Sequence, residues 1–197
     1  PVRGRLLGWL AEGAREVHWA LCSLRRERWA AAPPPGLGPW PALRHVRYLV
    51  LSDRCLTLPA VGYAFGEDVG AKPSTAALEQ ADAAWDPVLA AEAADELIDE
   101  LAAARFELLR RLESAPDSSW RAPLAADVLK AYPAAEAAPP RLADLLLRAR
   151  QRELEHLASL WRIALYWDHV VPAAERSAPA GSVGLRLHPA DRLEESH

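Results

Sequence analysis

The chain of 197 residues contains no methionine, 2 isoleucines, 2 cysteines and 2 lysines. β-Branched apolar residues are scarce throughout, with 2 Ile and 11 Val set against 40 Ala and 31 Leu. Half-buried pleated surfaces favour β-branched side chains, whereas Ala and Leu lose least on entering a helix. A sandwich, a barrel or a large parallel sheet is therefore excluded, and the composition reads as all-α. Cys22 and Cys55 lack CxxC spacing, which excludes a disulfide framework or a zinc finger and fits reduced thiols in a cytoplasmic protein.

Charge of one sign is also missing. Lys and Arg number 23 against 27 Asp and Glu, a formal charge of −4. That balance gives no electrostatic footprint for nucleic acid or an anionic membrane. The uncharged run Cys55 to Gly66 is too short to span a bilayer and contains Pro and Gly. A basic segment leading into an apolar one is absent at the start, so no signal peptide is expected. Gly-rich phosphate loops and nucleophile elbows are absent as well. The scarcity of Lys beside 21 Arg reads as genome composition, and the lack of Met has no physical explanation.

What the chain does have is helical periodicity. Leu7, Leu10, Ala14, Val17, Leu21 and Leu24 form a 3,4,3,4,3 seam that predicts a helix over 5–31, stopped by Pro33, Pro34 and Pro35. A second helix is expected from Pro41 to about Leu58, ahead of Pro59. A shorter one follows over 75–85. Asp86–Pro87 reads as an N-cap followed by Pro at the first helical position, opening a third long helix that ends near Ser114. A short helix at 123–132 leads to a fourth long one over 140–171, with Leu142, Leu146, Ala149, Glu153, His156, Leu160, Ile163, Trp167 and Val170 on its seam. The expected architecture is a four-helix bundle of up-down-down-up topology over 1–172, with long crossover connections, short extra helices and a C-terminal arm over 173–197.

Glu153 and His156 are polar where the heptad calls for apolar residues. Burying both demands partners, because an unpaired charge in an apolar core is costly. They could ligate a metal, hydrogen-bond each other, or be exposed by rotation of the helix. On the second helix His45, Leu49 and Ser52 share a face, with Tyr48 and Asp53 at its margins. His45 and Tyr48 read either as a satisfied boundary pair or as part of a site with Glu153 and His156. Asp53 and Asp168 are expected at the surface, His18 at the edge of the first seam, and His169 near a helix C-terminus where a cation is favoured.

The stretch Pro33-Pro34-Pro35-Gly36-Leu37-Gly38-Pro39-Trp40, followed by Arg44-His45-Val46-Arg47-Tyr48-Leu49 and Asp53, resembles the approach to the second helix of the DinB/YfiT-like superfamily. Glu153-Leu154-Glu155-His156-Leu157 resembles that superfamily's last helix, which carries a His-x-x-x-His motif. The resemblance implies a four-helix bundle, commonly homodimeric. It also implies a divalent metal held by three histidines, one from helix two and two from helix four. Characterised relatives in the superfamily include thiol-dependent S-transferases and a maleylpyruvate isomerase. Carried over residue by residue, the three ligand positions fall on Tyr48, Arg152 and His156. Tyr is a poor zinc or nickel ligand and Arg cannot be one. Arg152 could instead pair with Glu153 or Asp53, or bind an anionic group.

Three functional readings stay open. In one, a bundle without the standard metal site binds a small anionic molecule in a pocket of Tyr48, His45, Asp53, Arg152, Glu153 and His156. In another, zinc or nickel at His45, Glu153 and His156 supports a thiol transferase. In the third, the polar residues are a satisfied core network of a dimerising module, with Trp9 and Trp161, which fall off the seams, covering a dimer face.

Overall fold

In the computed structural model the described residues are 2–67, 72–121, 123–124 and 141–170. They are overwhelmingly helical, and among them β structure is limited to one isolated bridge between Pro123 and Arg141. The chain is all-α, as its composition requires. The helix expected over 123–132, beyond Pro123 and Leu124, and the arm over 173–197 lie outside the described residues.

The first helix, α1, is Val2–Cys22. It stops earlier than its apolar pattern suggests. Leu24 bonds back only three residues, to Leu21, and the Ser23 hydroxyl caps the Ala20 carbonyl. A 3-10 turn at Arg26–Arg28 follows. Trp29 then ties the segment down, donating its indole N–H to the Leu24 carbonyl and accepting the Leu43 N–H on its own. The buried stripe of α1 contains Leu6, Leu10, Val17 and Leu21, continued past its end by Leu24, with Gly13 also buried. Leu7 and Ala14, expected on the seam, are only half-buried.

The second helix, α2 (Ala42–Ser52), does not end before Pro59. A π-turn at Asp53–Thr57 joins it to α3, Leu58–Ala64. In the α register the Pro59 nitrogen would have to donate to the Cys55 carbonyl, and proline has no N–H to give. The π-turn answers this by bonding the Leu58 N–H to Asp53, while the Cys55 carbonyl takes the Ser74 N–H from the next segment at 3.1 Å. The rod passes its proline with these groups satisfied.

Then come α4 (Thr75–Ala83), capped by the Ser74 hydroxyl, and α5 (Pro87–Glu92), capped by Asp86 on the Val88 and Leu89 N–H groups. The helix expected from Asp86 as one piece is divided at Ala93, whose φ of −93° and ψ of 18° leave the α region before α6, Ala94–Ser114. A short α7 (Asp117–Arg121) precedes α8 (Leu142–Leu165), where the Arg141 N–H donates to Asp144. A π-turn, Tyr166–Val170, follows it.

The core divides into two apolar clusters. One gathers Leu6, Leu10, Leu56, Leu108, Leu112 and Leu146; the other Val17, Leu21, Leu43, Leu49, Leu160 and Ile163. Charge lies between them. Arg105 of α6, its side chain 4% exposed, bonds Asp53 at 2.6 Å and faces Glu153 of α8 at 3.1 Å. Arg150 bonds the other oxygen of Glu153 at 2.7 Å and Glu16 of α1 at 2.8 Å. Asp53, expected at the surface, is thus buried, because the π-turn carries it inward to Arg105.

Gly13 is the counterpart on α1. A Cβ there would run into both carboxylate oxygens of Glu153. An Ala for Gly exchange within a helix ordinarily gains about 1 kcal/mol. Dislodging a carboxylate held by two guanidiniums costs about 3–5 kcal/mol, so the clash wins. Gly13→Ala should lower the unfolding free energy by about 2–4 kcal/mol in urea titration. Gly8→Ala, on the exposed side of the same helix with nothing near its Cβ, should raise it by about 0.5–1 kcal/mol.

Candidate functional site

The loop after α1 brings a ring to the surface of α2 and α8. Gly36 and Gly38 adopt φ of 89° and 90°, a region favouring glycine, between prolines that restrict the rest of the loop. Trp40 emerges from it and packs near-parallel to His156, with ring centroids 5.7 Å apart. Tyr48 lies 5.3 Å from Trp40 and 4.8 Å from His156. Arg44 crosses the Trp40 face at 4.6 Å and is neutralised by Asp82 at 2.7 Å.

Inside this aromatic frame His45 and His156 meet through their Nδ1 atoms at 2.8 Å. Such a bond takes one proton, so one ring donates and the other accepts. His45 Nε2 is buried with no partner. An unsatisfied lone pair is better tolerated in an interior than an orphaned N–H. The favoured arrangement therefore has His45 donating from Nδ1, which leaves half-buried His156 with a proton on Nε2.

Both rings are held uncharged, with pKa values pushed down to about 4. Burial is the first cause for each. For His45 the neighbouring His156 and the cations of Arg162 and Arg44 add to it, against the Trp40 backbone, which favours the proton. For His156 the second cause is Arg152, opposed by Glu155 and Asp82. The guanidinium of Arg152 donates to the Ser52 hydroxyl, rather than to Glu153 or Asp53.

The six residues singled out in the sequence thus separate into two groups. His45, Tyr48, Arg152 and His156 gather at the half-buried surface between α2 and α8. Asp53 and Glu153 belong to the interior ionic layer. Burial pushes the Glu153 carboxyl up, and Arg105 and Arg150 oppose that shift. Arg105 is held above the usual arginine range: burial works against its charge, but Asp53 and Glu153 outweigh it. His45, Glu153 and His156 do not converge as a ligand set, because the Glu153 carboxylate is drawn to the two guanidiniums. Among the described residues no three His, Cys, Asp or Glu side chains come close enough to hold a metal ion. Nor do the donors fit the divalent ion that the DinB/YfiT-like resemblance implies. Two imidazoles are bonded to each other, and a guanidinium stands beside them where a cation would be repelled.

Four participants went unread in the sequence. Trp40 was seen only as a helix-approach residue. Arg105 follows Leu101 by four residues and precedes Leu108 by three, so it lies on the α6 seam, and its charge there was a readable conflict. Gly13 and Arg150 carry no such mark. Of the cysteines, Cys55 has its thiol pushed up by burial, and Cys22 is exposed. His18 and His169 are exposed, away from both groups.

Compared with known protein families, with curated proteins and with solved structures, the chain matches none. The resemblance stated above rests on its short motifs.

The lowered imidazole pKa values set a pH dependence. Between about pH 4 and 6.5 the unfolded chain binds protons that the folded pair refuses, so stability falls as pH drops through that window and is fully present above it. One ring alone accounts for up to roughly 3 kcal/mol, at about 1.4 kcal/mol per pH unit. The pair titrates jointly, so the total is below twice that. Urea midpoints at pH 7.5 and 4.5 should differ accordingly, and His156→Gln should roughly halve the difference. Equal slopes for parent and variant would refute the assignment.

Proposed function

We propose that this chain is a four-helix bundle of up-down-down-up topology that binds a small anionic molecule at Arg152 and His156, without a metal. End contacts support the topology. Arg3 at the start of α1 bonds Asp117 just past the end of α6, and Arg26 beyond the end of α1 bonds Asp95 at the start of α6. His45 and Ser52 of α2 meet His156 and Arg152 of α8 in reverse order.

One observation carries the ligand reading: Arg152 is a half-buried cation whose partner among the described residues is an uncharged hydroxyl. Other arginines of the fold differ. Arg44, Arg105, Arg111 and Arg150 each meet a carboxylate within 2.8 Å. A charge-assisted bond from a guanidinium to an anion is about twice as strong as one to a neutral group. The Nε2–H of His156 supplies a second donor to the same anion, and Trp40 and Tyr48 flank the place with apolar ring surface. Carboxylates or phosphates of small size match these two donors.

A ligand that binds only the folded state raises stability by about 2.7 kcal/mol at a hundredfold excess over its Kd. Acetate, succinate and inorganic phosphate, tested in thermal unfolding at constant ionic strength, should include at least one that stabilises the parent. Arg152→Gln should melt close to the parent alone and lose that stabilisation. If the variant keeps the full ligand-induced shift, the anion sits elsewhere. If none of the three stabilises the parent, the cluster is the satisfied network of a non-catalytic module.

A further inference from the structure

Along the apolar seam of α1, side-chain size dips in one place. Leu7 and Leu10 precede it and Leu21 and Leu24 follow, but Ala14 and Val17 stand between them. On α6, Ala102 faces the same place beside Ile98 and Leu101. Protein interiors ordinarily pack with few voids larger than a water molecule. Here the missing side-chain volume leaves a pocket of about 100 Å³ between α1, α2 and α6. Buried Val17, Leu21, Val46 and Leu101 form its floor, and half-buried Ala14 and Ile98 its sides. Arg15, His18 and Ala102, all exposed, line the mouth, so the pocket opens to solvent.

From this pocket we infer that the chain binds a short branched aliphatic carboxylate of the 3-methylbutanoate type. Its tail enters between the helices and its carboxylate meets Arg15 and His18. Size sets the tail. An apolar cavity of roughly 150 Å³ accepts benzene. A pocket of about 100 Å³ suits a branched group of three or four carbons better than a ring. Water is a poor occupant, because it needs about two to four polar partners and the floor consists of aliphatic side chains.

Charge sets the head group. Arg15 and His18, three residues apart on α1, share one face of the helix. Arg15 meets Glu12 at 3.8 Å with both side chains well exposed. Such a surface pair contributes little, so its cation can turn to a ligand. His18 has no carboxylate partner among the described residues and can donate from its ring. The acids of α6 do not occupy the mouth. Asp95 is held by Arg26 at 2.6 Å, and Asp99 stands about 100° round the helix from Ile98. The pocket is separate from the anion site proposed above. On α2, Val46 faces the pocket, whereas His45 turns to His156 of α8.

Binding to the full chain can be followed through the His18 ring signals in proton NMR at constant ionic strength, assigned by their loss in His18→Gln. Titration with 3-methylbutanoate should shift them saturably. Its affinity should exceed that of acetate at least tenfold, since each further buried carbon is worth about fourfold. Arg15→Gln should weaken 3-methylbutanoate at least threefold and leave the neutral 3-methylbutan-1-ol unaffected. Ala14→Leu fills the pocket from α1 and Ala102→Leu closes its mouth, and each should abolish the saturable shifts with helicity unchanged in circular dichroism. Ala102 is exposed, so the second variant reads the site even where the first disturbs packing. Arg152→Gln should bind as the parent does. Absence of saturable shifts up to about 100 mM, equal affinity for acetate, or binding retained in both leucine variants would overturn the site. Equal weakening of acid and alcohol by Arg15→Gln would overturn the head-group assignment, and binding lost in Arg152→Gln would move the carboxylate to the α2–α8 surface.

Discussion

Arg105 lies between two carboxylates, with Asp53 on one side and Glu153 on the other, in a layer closed to water. That arrangement constrains everything around it. A charge pair taken out of water recovers little net energy, because desolvation offsets most of the attraction. Its leverage is on alternatives. Sliding α6 or α8 by one turn would bury one or more of these charges without a partner, at a cost of several kcal/mol, whereas the two leucine-rich clusters above and below would tolerate the slip. Apolar packing makes the helices associate, and the ionic layer selects the register in which they do so. Gly13 completes it from α1, since only a residue without a Cβ leaves space for the Glu153 carboxylate.

The same layer accounts for the shape of α2. Asp53 reaches Arg105 because the helix widens into a π-turn at that point, and the turn is also what lets the rod continue past Pro59. A feature that sequence rules treat as a stop is thereby absorbed. The freed Cys55 carbonyl, taken up by Ser74, fastens the start of α4 to α2. From there Asp82 reaches back to neutralise Arg44, whose guanidinium lies over Trp40. The aromatic frame of the candidate site is therefore anchored, through α4, to an irregularity that the interior charge demands.

Much of this was legible in the sequence, and the parts that were not have identifiable physical causes. Ala and Leu excess, the Asp86–Pro87 cap and the α8 seam announced helices where they occur. Glu153 and His156 stood out because they broke the seam, and both have partners that matter. Their partners were harder to read. Three residues apart on one helix, they point to different neighbours, Glu153 toward α1 and α6 and His156 toward α2. Only packing decides that. Arg105 sits on the α6 seam where its charge conflicts with the apolar pattern, but Ala104 beside it satisfies that pattern equally well and masks the conflict. Asp53 looked like a surface acid because Pro59 reads as a helix stop, whereas the chain passes it through a π-turn that opens at Asp53. Gly13 was invisible for the opposite reason: what it contributes is the absence of an atom.

Arg150 and Arg152, two residues apart on α8, make the contrast on which the functional reading turns. Both are long cations at the margin of a buried layer. Arg150 points toward α1 and has two carboxylates there, so its charge is consumed in holding the fold. Arg152 points toward α2, where it meets a hydroxyl, and near it stand two imidazoles held neutral chiefly by burial, His156 in part by the field of Arg152. If the only task of that corner were structural, a carboxylate opposite Arg152 would stabilise it at no cost to packing, as Asp82 does for Arg44 a short distance away. What the chain presents instead is a positive end, a neutral donor beside it and aromatic walls. That combination is complementary to a negative group arriving from solvent.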